Sequence, residues 1–285
     1  MDVPCAPMAQ QDHTRTRPAR AANVANNAKG DRGRHRRWAP ARDAAWELLD
    51  GVVAEGARVA IVGAGNGDDV PLDALARRAA HVDLIDLDAG ALRIAQGHVG
   101  AAGRARVHAL VEDVTGGAAD AVVVAALTGA DRPIAPPPVP AGPVGRGPYD
   151  VVVCDLLLTQ LLYPALRGGD LRGDEIDAVL LREGQRLTDG VVARLHAAAP
   201  DGTVVILHDV LGWWKGHRQP FTLAELLGRD PAPALALARR GSLPYGCDPW
   251  AATRRAGARV LDTRLWRWPF AAGADYAVFG LVTRR

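Results

Sequence analysis

Short apolar runs alternate with stretches of three-to-four-residue periodicity along most of this chain. The runs at 59–62, 82–87, 107–111, 151–154 and 203–207 are built mainly of Val, Ile, Leu and Ala, with few polar interruptions. Runs of this length and composition read as strands buried on both faces, the habit of a parallel sheet. Between them lie helical patterns. Residues 40–55 place Ala44, Trp46, Leu48, Leu49, Val52 and Val53 on one side, open near a proline and stop at Gly56. Residues 70–80, 89–98 and 175–199 repeat the pattern, and 122–127 fit either a short helix or a strand-like run. A closing pair of strands is expected at 259–266 and 276–282. Strands that alternate with helices predict an α/β domain around one sheet.

The first run enters a glycine-rich turn, RVAIVGAGNGDD at residues 58–69. Such a turn gathers backbone N–H groups outside the carboxyl end of the sheet, where ligands of open α/β sheets bind. Two ligand classes compete for it. The dinucleotide fingerprint G-x-G-x-x-G is met by Gly63 and Gly65, but its third place falls on Asp68, and Asp69 follows. Two carboxylates would repel a pyrophosphate. Gly63, Gly65 and Gly67 instead have the spacing G-x-G-x-G. A purely structural glycine turn is the bland reading beside both.

Acidic residues recur at strand ends. Asp86 closes the second run about 20 residues past the turn, where a carboxylate can accept both ribose hydroxyls; a helix cap is its other reading. Asp88 is assigned to the cap of the next helix. Asp113 follows the third run and can accept from an adenine amine. Asp155 ends YDVVVCD, the fourth run, and His208-Asp209 end the fifth.

Taken together, residues 40–285 resemble the class I S-adenosylmethionine (SAM) methyltransferases. The likeness lies in G-x-G-x-G, in the strand-end acids and in YDVVVCD, which resembles the family's fourth motif. It implies a Rossmann-like class I methyltransferase fold: a mostly parallel seven-stranded sheet with an antiparallel last strand. It also implies SAM as cofactor, with Gly63, Gly65 and Gly67 at the methionine end, Asp86 at ribose, Asp113 at adenine and Asp155 beside the methionine moiety. SAM has no phosphate, so acids near the turn are tolerated. The fourth motif departs from the family pattern. LLLTQ at 156–160 replaces the Asn/Asp-Pro-Pro-aromatic run of enzymes that methylate amino groups of adenine or glutamine, which argues against those acceptors.

The implied activity is methyl transfer to an O or N atom of a small organic molecule. A hydroxyl acceptor needs a proton acceptor, and His208 is the candidate base because imidazole titrates near neutrality. A structural histidine bonding a loop carbonyl is its other reading. Tyr163, Trp213 and Trp214 are candidate substrate walls, with Tyr245 and Trp250 beside them; tryptophans equally fill cores. Three rivals stand. An aminopropyltransferase shares this fold, but DLLLT lacks the second carboxylate that would hold a polyamine. An rRNA methyltransferase would use the basic N-terminal arm. A SAM-binding module would not turn over.

Charge sharpens the domain boundaries. The 285 residues carry a net +2, yet residues 1–42 hold nine Lys+Arg against three Asp+Glu. The body is therefore mildly acidic, and residues 1–37, poor in apolar periodicity, read as a disordered basic arm ahead of a single domain at 38–285. Residues 129–148 are a Pro/Gly-rich loop and a candidate flap; 161–175 form a candidate lid; 210–258 match no pattern and read as a substrate-side insertion. Cys5, Cys154 and Cys247 make neither a zinc spacing nor a disulfide framework, so no metal site and a reducing cytosol are expected. No apolar run reaches membrane-spanning length. A small-molecule partner is expected rather than nucleic acid or a membrane. The assembly is left open, a homodimer being one arrangement compatible with the sequence.

Overall fold

The computed structural model describes residues 17–30, 33–129, 136–217, 219–229, 233, 234, 236, 237, 240 and 246–285. The apolar runs become strands β1 (Arg58–Val62), β2 (His81–Asp86), β3 (Val107–Val111), β4 (Val151–Asp155) and β5 (Thr203–Trp214), with β6 (Arg259–Ala271) and β7 (Ala274–Arg284) as the closing hairpin. They form one sheet in the order β3-β2-β1-β4-β5-β7-β6. β1 to β5 pair in parallel, and β7 runs antiparallel to both β5 and β6. This is the Rossmann-like class I methyltransferase arrangement expected from the sequence. Strand order reverses at β1, which lies between β2 and β4, so the crevice at the carboxyl ends of β1 and β4 is the sheet's switch point.

Both faces of the sheet are covered, which is why the central strands alternate so little. On one face Ile61, Val82, Leu84, Val153, Val205 and Leu207 pack under α3 (Ala39–Asp50), α4 (Leu72–Arg78) and α5 (Ala89–Gly97), with the short α6 (Ala101–Arg104) beyond. On the other, Val62, Val152, Cys154, Val204 and Ile206 meet α7 (Ala118–Thr128), α8 (Tyr163–Arg167) and the long α9 (Gly173–Ala198). The ambiguous run at 122–127 is thus a helix. α3 stops at Gly51 rather than Gly56, so Val52 and Val53 lie beyond it.

Three expectations change. Residues 1–37 are not a disordered arm where the structure describes them: Pro18–Ala28 form α1 and Arg34–Arg37 form α2. Pro18 sits in the first turn, where its fixed φ suits a helix, and an alanine-rich run has high intrinsic helicity. Ala19 and Ala22 pack against the core, and the Ala19 N–H donates to Asp120 Oδ1 at 2.8 Å. The face is made of methyl groups, so it packs closely while leaving little hydrophobic signal. Residues 1–16, 31 and 32 lie outside the described residues.

The Pro/Gly loop is not a flap over 136–148. Arg194 of α9 donates to the carbonyls of Gly142 (3.3 Å) and Pro143 (2.9 Å) and pairs with Glu112 at 2.8 Å, while Val144 is fully buried. Residues 130–135 lie outside the described residues. The segment 210–258 is not a substrate-side insertion as a whole. Its start continues β5, and α10 (Leu223–Leu227) and α11 (Pro249–Arg255) follow; Trp250 and Ala252 of α11 are buried in the α9 face. Among the described residues no helix is long and apolar enough to cross a membrane.

Candidate cofactor and acceptor site

The glycine turn leaves β1 at the switch point. Gly63 has φ +81° and Gly65 φ +47°, conformations that L side chains rarely adopt. A Cβ on Gly63 would stand 3.0 Å from the Asp155 carbonyl oxygen and from Leu157 Cβ, so only glycine keeps the crevice between β1 and β4 open. The Gly65 N–H donates to Asp86 Oδ2 at 2.9 Å, and the Asp88 N–H to Asp86 Oδ1 at 2.9 Å. Asp86 thereby locks the turn to the end of β2 with one lone pair left on each oxygen.

Three adjoining cavities open here. The first, of about 410 Å³, has Gly63, Gly65, Asp86 and Asp155 as its floor; α1 covers it with Asn23, Asn26 and Asn27, and Arg34, Trp38 and Phe270 stand at its mouth. The second, of about 40 Å³, shares Gly63, Asp86 and Asn23 with the first and runs past Asp113 and Val114. The third, of about 480 Å³, meets the first at Asn26, Lys29, Gln160 and Phe270 and is bounded by Thr159, Tyr163, Arg167, Asp209 and Tyr276. α1 is pinned in its covering position: Asn66 Nδ2 donates to the Asn27 carbonyl at 2.9 Å and Asn27 Nδ2 to Asp88 Oδ2 at 3.2 Å.

Carboxylates dominate the electrostatics. Burial pushes Asp69 up to about 6. Asp155 is pushed well up, first by burial and then by repulsion from Asp69, with which it shares a side-chain hydrogen bond. Burial pushes Asp209 up to about 7, opposed by the hydrogen bond it accepts from Thr159 Oγ1 at 2.9 Å. Burial also raises Asp86, against the backbone N–H groups of Asp88 and Gly65. Acids held this way at the ends of β2 and β4, within β5 and in one turn are an environment for a cation, which would favour their ionised forms. They would repel a pyrophosphate.

The predicted residues fare differently. Gly63, Gly65, Asp86 and Asp155 line the first cavity. Gly67 does not; a Cβ there would meet Leu72 Cδ1 at 2.5 Å and Ala95 Cβ at 3.0 Å, so its glycine serves packing. Asp113 lines the second cavity, but its carboxylate already accepts from the Thr115 N–H (2.8 Å), Thr115 Oγ1 (2.7 Å) and the Gly117 N–H (2.7 Å). One lone pair of Oδ2 is left for a ligand. Asp88 caps α5 by accepting from the Gly90 N–H at 2.7 Å.

His208 is not placed to act as a base. It is fully buried, its ring 6.4 Å from that of Trp250, and burial lowers it to about 4. It points to the α9 face with Val204 and Ile206, whereas Asp209, one residue on, faces the third cavity. Trp213 and Trp214 lie in β5 rather than a loop, paired with Asp275 and Ala274. Trp213 Nε1 donates to the Phe221 carbonyl at 3.0 Å, and Trp214 stacks on His217 at 3.9 Å. Neither lines the three cavities; of the expected walls Tyr163 does. Trp250 is core, and Tyr245 lies outside the described residues.

The sequence pattern does not by itself reveal the covering helix or the acid at the third cavity. Asn23, Asn26 and Asn27 have the i, i+3, i+4 spacing of one helix face, a signal that was present. In the sequence Asp209 reads only as a residue that closes the fifth run beside His208, to orient it or to cap. Two arginines of the basic N-terminal segment contact the fold: Arg34 pairs with Asp68 at 2.5 Å, and Arg37 Nε donates to the Phe270 carbonyl at 3.3 Å.

No family model matches this chain, and no curated protein matches it in sequence. Solved structures of similar trace include SAM-dependent methyltransferases. One from Aquifex aeolicus is 15% identical, with 92% of this chain and 97% of that chain covered and a TM-score of 0.44. Magnesium protoporphyrin IX methyltransferase from Synechocystis PCC 6803, solved with bound SAM, is 12% identical over 96% and 100% of the two chains, with a TM-score of 0.47. The mitomycin 7-O-methyltransferase is 14% identical over 94% of this chain and 53% of its own, with a TM-score of 0.38.

Proposed function

We propose that this protein is a SAM-dependent methyltransferase that acts on an O or N atom of a small organic acceptor. The observation that carries the reading is the acid-lined crevice at the switch point, roofed by asparagines and continuous with a second large cavity. Asp86 offers one lone pair on each oxygen to a ribose diol. Asp155 and Asp69 present negative charge where an ammonium and a sulfonium would lie. Asn23, Asn26 and Asn27 supply amide donors and acceptors from above. When bound, SAM supplies a methyl group on a sulfonium whose departure needs no acid.

The third cavity is the acceptor's place in this reading. Tyr163, Tyr276 and Phe270 form its aromatic walls, the usual lining for a small organic ligand. Asp209 takes the role first assigned to His208. A carboxyl held near 7 by burial is matched to receive a proton from a hydroxyl or ammonium acceptor at neutral pH. Thr159 orients it by donating to Oδ1.

The same acids would also suit a polyamine, which keeps the aminopropyltransferase reading in play. Calorimetry of the full chain against SAM, decarboxylated SAM and NAD separates the classes. SAM should bind with a Kd on the order of micromolar. Binding should also release protons near pH 6, because a cation favours the ionised forms of Asp69 and Asp155. Preference for decarboxylated SAM would favour aminopropyl transfer. Binding of NAD without SAM would refute both.

A further inference from the structure

We propose that His35, Asp68 and His98 form a binding site for a zinc-class divalent transition metal, which fastens α2 to the glycine turn. The three residues come from separate elements: His35 from α2, Asp68 from the turn and His98 from the residue that ends α5. Their ligand atoms all lie within 4.8 Å of one another.

The geometry is that of a ligand set rather than of hydrogen bonds. Asp68 Oδ1 is 3.4 Å from His35 Nδ1 and 3.4 Å from His98 Nε2. Both separations exceed the roughly 2.7–3.2 Å of a good N–H···O bond. Ligands bound about 2.0–2.1 Å from a tetrahedral zinc stand about 3.3–3.4 Å apart, so two edges of such a tetrahedron are already in place. Both imidazole nitrogens are shielded from solvent. The rings are stacked at 4.1 Å and 12°, so their in-plane lone pairs lie in nearly parallel planes, and one imidazole has to turn about its side-chain bonds for both nitrogens to reach one ion.

Two guanidiniums border the set, Arg34 on the Asp68 carboxylate and Arg42 on the carbonyls of His35 and Asp68. Asp68 Oδ2 accepts from Arg34 Nε at 2.6 Å, which aims Oδ1 at the imidazoles, the arrangement that orients ligating carboxylates. Two imidazoles and one carboxylate select zinc, cobalt or nickel over magnesium or calcium, which prefer an all-oxygen shell. Three protein ligands leave a coordination position for water. Asp68 also lines the first cavity, so a bound metal would fix the mouth residues Arg34 and Trp38 against its floor. The site does not depend on what the cavity binds.

The probe is Co(II), titrated into the full chain and followed by visible absorption, with Zn(II) displacement and thermal unfolding beside it. One Co(II) per chain with the strong bands of tetrahedral coordination is expected, together with a Zn(II)-dependent rise in unfolding temperature. His98→Gln and His35→Gln should each weaken Co(II) binding at least tenfold. A control variant, His81→Gln with His108→Gln, alters another stacked pair, 4.5 Å apart beside Asp83, and should leave binding unchanged. Absence of stoichiometric binding to the unaltered chain would overturn the proposal whatever the variants do. Binding that survives both His35→Gln and His98→Gln would mark the metal as adventitious and overturn it equally.

Discussion

Replacing Asp209 by Asn should make the ligand-free protein more stable at alkaline pH and inactive toward a hydroxyl acceptor. Asp209 is buried and carried from an ordinary 3.8 to about 7. The folded chain therefore holds this proton more tightly than the unfolded chain. The stability it confers is fully present below about pH 4, is lost as pH rises toward 7, and changes little beyond. At about 1.36 kcal/mol per factor of ten in proton affinity, ionising Asp209 in the fold opposes stability by at most roughly 4 kcal/mol. Asn keeps the shape and an oxygen for Thr159 while removing the charge. Urea unfolding of both proteins at about pH 5 and about pH 8 should show the variant's advantage widening by roughly 2–3 kcal/mol between them. In single-turnover methyl transfer the variant should lose about 100-fold or more, with SAM affinity held. An advantage equal at both pH values, or a variant less stable at pH 8, would refute the buried acid. Full activity in a correctly stabilised variant would refute its role as base.

Deleting residues 1–30 should weaken SAM binding at least tenfold in calorimetry, because α1 supplies the cover of the cavity; unchanged affinity would mean that α1 merely rests on it. Asp86→Ala should weaken SAM by about 1–3 kcal/mol, the loss expected when a charged hydrogen-bond partner is removed. Asp88→Ala should instead lower unfolding stability by about 1 kcal/mol through its lost helix cap. His208→Gln should leave the pH profile of turnover unchanged. For the unaltered protein, His208 and His196 are both lowered to about 4 in the fold, so their contribution to stability is present above about pH 6.5 and is lost as pH falls toward 4, which acid unfolding of the histidine variants would read.

Much of this architecture is written in contiguous residues. A buried parallel strand needs an uninterrupted apolar run, and β1, β2, β3 and β4 appear within a residue or two of where those runs lie. The glycine turn, the acids at the ends of β2 and β4 and the cap at Asp88 are likewise local. Each follows from backbone geometry or from a side chain bonding a near neighbour. The turn that Asp113 holds at Thr115 and Gly117 is equally local, whereas its place beside adenine is only what the resemblance implies.

What tertiary structure decided depends on faces and on distant partners. His208 and Asp209 are neighbours, and a strand sends successive side chains to opposite sides. The run alone does not say which side is cavity. Packing against Trp250 and Phe279 does. Helix α1 packs through alanine methyls, whose small area gives little hydrophobic signal, so its place over the turn emerges only when α7, α8 and Asp120 are present to receive it. The raised Asp69, Asp155 and Asp209 and the His35, Asp68 and His98 set share one cause. Each joins groups from separate elements, and their electrostatics and ligand geometry exist only after the sheet has brought those elements together.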